Sequence, residues 1–239
     1  MAQPMKLSFT QDVMETSPRK LEILGARRVL ADGRVFRYAR AGSGGVAAGK
    51  LAMAGCAVSA HVNLAAPEAA VGQRVLTLTL GAAAAAENAY EDGYLQVNAA
   101  DGQGHQYRIL SNAACVASGQ MTLTLAEPLR AALTTSSKVT LVASPFRGVA
   151  SSDQEENLPV GIAPCDAAQG RYFWAQTGGP ALYLSADASV PGTMLVPSST
   201  AGALAGAGSP AAQDKPITAV AWATAGSAGQ YKPCYLVMD

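Results

Sequence analysis

Period-two alternation constrains this chain more than any other feature. Val75-Leu76-Thr77-Leu78-Thr79-Leu80 is the clearest case, and residues 34–40 (RVFRYAR), 94–97 (YLQV), 106–109 (QYRI), 121–125 (MTLTL) and 139–142 (VTLV) repeat it. Successive side chains of a strand point to opposite faces, so each stretch gathers its apolar residues on one side, which a helix of the same sequence would not do. Between the stretches lie Asp32-Gly33, Asp92-Gly93, Asp101-Gly102, Gly178-Gly179 and Pro191-Gly192, dipeptides suited to hairpins and short β connections. The expected class is all-β: two small antiparallel β modules, sandwich- or barrel-like, with an extended N-terminal arm. Residues 82–90 (AAAAAENAY) and 128–133 (PLRAAL) have helix-compatible composition without an apolar stripe, so one or two turns are expected there at most.

Residues 1–22 are polar, do not alternate and hold two prolines; they read as the arm. Residues 23–150 form the expected first module. A polar linker, 151–157 (SSDQEEN), leads to a second module at 158–239, with strands expected at 170–176, 181–184, 217–222 and 231–238. The low-complexity run 197–210 (PSSTAGALAGAGSP) reads as an exposed loop.

Residues 44–51, GGVAAGKL, match all but the last letter of the phosphate-loop pattern G-x-x-x-x-G-K-[ST]. The missing letter is the hydroxyl that ligates Mg²⁺, and Leu51 has none. A phosphate loop also follows a buried strand and opens a helix, whereas 34–40 carries three arginines and reads as a solvent-facing strand, and no helical stripe follows Lys50. The dinucleotide fingerprint Gly42, Gly44, Ala47 likewise lacks its βαβ setting. The stretch is expected to be a turn between two strands with Lys50 in solvent.

Lys and Arg number 17, as do Asp and Glu, so the formal charge is zero and no field draws in nucleic acid. Charged residues make up only 14%, a composition suited to a surface that packs against other proteins. No run is long and apolar enough for a membrane span or a signal peptide, so synthesis in a cytosol without membrane insertion is expected. Cys56, Cys115, Cys165 and Cys234 are too far apart for a local metal or redox motif and are expected to be buried free thiols. His61 and His105 fit no metal or nucleophile pattern, and the adjacent pairs Glu91-Asp92 and Glu155-Glu156 point apart in extended chain. No catalytic set, cofactor or metal is expected. Tyr172 and Trp174 share one face of a strand and Phe173 takes the other; the pair is either half of a β core or a sugar-stacking platform.

Residues 24–42 (LGARRVLADGRVFRYARAG), followed by Leu51-Ala52, resemble the opening of virion structural proteins of tailed bacteriophages. Residues 101–109 (DGQGHQYRI), 125–133 (LAEPLRAAL) and Gly161-Ile162-Ala163 with 170–179 (GRYFWAQTGG) are similar to further phrases of such proteins. The resemblance implies a non-enzymatic capsid decoration, or cement, protein on the outer surface of the head, made in the host cytoplasm. Its implied partners are the major capsid protein and further copies of itself around a capsid symmetry axis. Within that picture Leu7, Phe9, Val13 and Met14 are candidate contacts, docking the arm on a neighbouring sheet edge by strand addition. The alternative is a neck, tail or head-fibre protein that binds a host glycan through Tyr172, Trp174 or the 197–210 loop.

Overall fold

A computed structural model describes residues 9–153, 157–208, 214–223 and 227–239. The fold is all-β. In chain order the strands are β1 (Arg27–Val29), β2 (Val35–Ala41), β3 (Leu51–Met53), β4 (Leu64–Ala65), β5 (Val75–Thr79), β6 (Tyr94–Ala99), β7 (Gln106–Asn112), β8 (Gln120–Leu125) and β9 (Lys138–Val142). They continue as β10 (Arg147–Val149), β11 (Pro159–Ile162), β12 (Tyr172–Leu184), β13 (Met194–Pro197), β14 (Leu204–Gly206), β15 (Ala219–Ala221) and β16 (Tyr231–Val237).

The two modules are nested in sequence rather than consecutive. Cys56–Ser144 is one unit; the chain up to Gly55 and Pro145–Asp239 together make the other. This corrects the expected division into 23–150 and 158–239. The cause is long-range pairing: β12 lies antiparallel to β2, with Trp174 opposite Tyr38, and β11 lies antiparallel to β3. Strands on either side of the inserted unit complete one sheet. The polar stretch around 151–157 is therefore a connection inside the split unit, and residues 154–156 of it lie outside the described residues.

The inserted unit is a six-stranded antiparallel sheet in the order β4-β9-β6-β7-β8-β5, with its edge strands β4 and β5 brought together so that it nearly closes into a barrel. The alternation accounts for it directly. Leu76 and Leu78 of β5 point inward opposite Leu123 and Met121 of β8, while Thr77 and Thr122 share a hydrogen bond outside. His61 is buried in the same unit, in a short 3₁₀ turn, Ser59–His61. Its Nε2 lies 2.9 Å from the Ala83 carbonyl, which can only accept, so Nε2 carries the proton and Nδ1 accepts from the Tyr90 hydroxyl. Burial pushes the Tyr90 hydroxyl up to about 12, which keeps it a donor. The stretches 82–90 and 128–133 are turns without helix, each pinned by a bridge, Ala85 to Cys115 and Ala69 to Leu133.

The split unit is a ten-stranded sheet whose main path runs β1-β2-β12-β16-β15-β13-β14. Pairing is antiparallel except between β10 and β2. Strand β2 is not solvent-facing: Phe36, Tyr38 and Ala39 are fully buried. Its arginines are accommodated because their charges find partners at the sheet margin, Arg37 on Asp239 and Arg40 over the Tyr172 ring and against the Gly170 carbonyl. Within 197–210, β14 pairs with β13 and Leu204 is buried, so the expected loop is largely a hairpin; residues 209–213 lie outside the described residues. The cysteines are all free, but only Cys234 is buried; Cys56 is exposed and Cys115 and Cys165 are half-buried. Burial pushes the Cys234 thiol up to about 12, leaving it an inert core group.

Candidate functional site

The N-terminal segment takes its place on its own sheet. Ser17 forms a two-way backbone bridge with Tyr172, the Gln11 amide donates to the Tyr172 carbonyl, and the Tyr38 hydroxyl donates to Gln11 Oε1. Val13 is buried with Leu24, Phe36, Tyr38, Tyr172 and Trp174, and Phe9 meets the Trp174 ring edge-on at 5.0 Å. Arg28 spans the segment, its guanidinium over both rings and its Nη1 donating to the Gln11 carbonyl. The strand-addition chemistry expected with a neighbour is thus used within the chain for Phe9 and Val13. Leu7 lies outside the described residues. Met14, 56% exposed, is the one of these four described as facing solvent.

Of the two readings of Tyr172 and Trp174, the same packing matches the core and leaves no sugar platform there. Trp174 is 0% exposed and Tyr172 is buried; the pair is core, as is Phe173 on the opposite face. Aromatic side chains in solvent lie elsewhere. Trp222 (62% exposed), Tyr231 and Tyr235 stand on or beside β15 and β16. Register places Pro180 of β12, Tyr235 of β16, Val220 of β15 and Met194 of β13 in one row across the sheet, and Leu182 opposite Pro233 in the next. Directly paired residues share a face. Alternate residues Ala181, Cys234, Leu236, Ala219 and Leu195 pack into the core beneath, so the row above is an outward sheet face without a charged residue.

Beside this face lies a groove of about 700 Å³. Ile162, Ala163 and Pro164 from the end of β11, Pro180 to Leu182 of β12, Trp222 and Tyr231 supply its apolar lining. Ala47, Ala48 and Gly49 form one wall, so GGVAAGKL does belong to a site, though not by cradling phosphate. Most of its backbone N–H groups are spent: Gly45 on Gly42, Val46 on Ala167, Gly49 on Ala163, Lys50 on Ala47 and Leu51 on Gly202. Ala48 N–H donates to the Asp166 carboxylate at 2.8 Å, placing a negative charge where a phosphate would have to sit. Leu51 then enters β3, so no helix N-terminus faces the loop. Gly49 has φ +72°, and a Cβ there would meet Tyr231 Cε1 at 2.5 Å; only glycine lets the Tyr231 ring lie on this turn.

Three polar groups reach the groove. Arg34 is steadied through its Nε on Asp32, whose carboxyl the Arg34 backbone and side chain hold below its ordinary value. Asp166 is held by Ala48. Gln176 sits at the bulge where β12 changes partner from β2 to β16. Its Nε2 donates to the carbonyls of Gly178 and Pro180, at 3.1 and 2.7 Å, which fixes the amide orientation because both partners are acceptors. Among the described residues the His, Cys, Asp and Glu side chains form no cluster able to hold a metal ion. No described helix is long and apolar enough to cross a membrane.

A second polar cluster fixes the sheet margin. Arg37 binds Asp239 bidentately at 2.6 and 2.7 Å, Thr177 donates to the same carboxylate at 2.9 Å, and Arg27 lies 3.6 Å away. The Arg37 hydrogen bonds hold the Asp239 carboxyl below its ordinary value of 3.8, against the opposing effect of burial. For Asp187 burial pushes upward, but hydrogen bonds from Ser189 and Gly206, aided by Lys232, outweigh it, and its carboxyl too is lowered. A carboxyl lowered in the folded state stabilises fully above its unfolded value, and that stabilisation is lost as pH falls through the folded one. The urea midpoint is therefore expected to fall on acidification from about pH 5 to about pH 2, and less steeply in Asp239→Asn, which starts out less stable at neutral pH. Parallel profiles for the two proteins would contradict this role for Asp239.

Comparison with protein-family models, with curated proteins and with solved structures returned no match.

Proposed function

We propose that this protein is a non-enzymatic structural component of a tailed-phage virion, a decoration protein that binds the outside of the head and clamps neighbouring major capsid subunits. The observation that supports this most is the outward face of β12, β16, β15 and β13: Leu182, Pro233, Tyr235, Val220 and Met194 in adjoining rows, with no charge among them. A contiguous apolar face with an exposed tyrosine in it marks a protein contact, since water is a poor solvent for it and Tyr is among the residues that dominate interface energetics. The phrases at 24–42 and 170–179 resemble those of phage virion proteins, and the 14% charged content suits a molecule packed among others. Rigid, hydrogen-bonded sheets fit the mechanical task. A clip that binds only the assembled lattice stabilises it by mass action, and repeated copies around a symmetry axis add avidity.

The test is quantitative mass spectrometry of purified particles, followed by rebinding of purified protein to heads that lack it. On the order of one copy per capsid subunit is expected, as symmetric lattice occupancy requires. Tyr235→Glu, which places a charge in the contact, is expected to weaken rebinding by at least about tenfold. Absence from the particle, or rebinding unaffected by Tyr235→Glu, would reject the proposal.

A further inference from the structure

We propose that the groove beside this face is a binding site for a neutral saccharide. It goes beyond capsid attachment and rests on different residues.

The first ground is the pair of aromatic rings. Tyr231 lies with one side on the Gly49 turn, where no side chain larger than hydrogen fits, and remains 47% exposed. Trp222, 62% exposed, lines the same groove, its backbone N–H tied to the Pro233 carbonyl. Sugar rings present C–H faces that pack on such surfaces and leave their hydroxyls at the rim, as an apolar pocket with a few oriented polar groups requires.

The second ground is Gln176. The side chain is only 6% exposed and lines the groove, and both of its amide hydrogens are committed to Gly178 and Pro180. Its Oε1 has no donor among the described residues, so it awaits one from a ligand. A sugar hydroxyl supplies that donor and can accept from Arg34 in return, while the Asp166 oxygen not held by Ala48 takes a second hydroxyl. A proline-rich peptide would also pack on Trp222 and Tyr231, but its tertiary amides carry no N–H for Gln176. Asp166 opposes anionic ligands and Arg34 cationic ones, which leaves a neutral polyol.

Saturation-transfer NMR and calorimetry on the whole protein would test this with maltose, cellobiose, lactose and N,N′-diacetylchitobiose, alongside a proline-rich decapeptide. At least one disaccharide is expected to bind saturably, with affinity at least tenfold lower in Trp222→Ala and reduced in Asp166→Asn. Both positions are exposed, so an unchanged unfolding midpoint will show that the variants are folded. Binding by none of the four sugars, binding indifferent to Trp222→Ala, or binding of the decapeptide alone would overturn the proposal. Tyr235 is not part of the groove lining, so the capsid and saccharide tests fail separately.

Discussion

Trp174→Ala is expected to destabilise the split unit by about 3–5 kcal/mol, the cost of emptying a large, fully enclosed aromatic site. The indole touches Phe9 edge-on, Tyr38 at 5.0 Å and the Arg28 guanidinium, so its removal opens the cluster that secures the N-terminal segment. Urea unfolding followed by circular dichroism reads the loss. Trp174→Phe is a sharper companion. The indole Nε1 is buried with no hydrogen-bond partner among the described residues, and phenylalanine removes that unpaired donor while retaining most of the ring contacts. The Phe variant should lose well under half of what the Ala variant loses. Equal losses would mean that the indole N–H makes a bond that matters.

The inserted unit supplies the second large effect. Residues 56–144 expressed alone are expected to fold cooperatively, with dispersed amide resonances and a single melting transition. Every strand of its sheet, β4 to β9, lies within the segment, and its core of Leu76, Leu95, Ile109, Leu123 and Leu141 is drawn from those strands and their loops. A domain with its own core and its own complete set of paired strands folds without the rest of its chain. A disordered fragment would refute the division of the chain at Gly55 and Pro145.

The strands were legible in the sequence because alternation is a local signal: β5 and β8 are nearly the stretches that announce them. Nesting was not, because nothing local in 34–40 records that its partner begins at Tyr172. The arginines of β2 misled for the same reason. Arg37 suggested solvent, and its carboxylate lies at Asp239, at the other end of the sequence. Phe9 and Val13 read as arm contacts for a neighbour, and Tyr172 and Trp174 as a separate strand face; nothing local records that the four pack on one another. The groove aromatics Trp222 and Tyr231 fall at the ends of two expected strands, and nothing local marks them as neighbours in one groove. One signal was available: 231–237 (YKPCYLV) is apolar at most positions on both faces, more than a sheet covered on one side needs. The Gln176 amide had no sequence signature, since its orientation follows from a bulge.

Nesting also sets an order of events on the ribosome. β2 emerges early but pairs with β12, whose first residue is Tyr172, while the intervening Cys56–Ser144 contains everything it needs. The segment made second is therefore free to fold first, and the opening strands must wait, with Phe36 and Tyr38 uncovered, for more than a hundred residues of translation. Long-range strand pairing is slow and leaves apolar edges open to other chains meanwhile. The hazard during synthesis is cross-pairing of unfinished β2 strands between neighbouring nascent chains, and early folding of the inserted unit keeps its own strands out of that exchange.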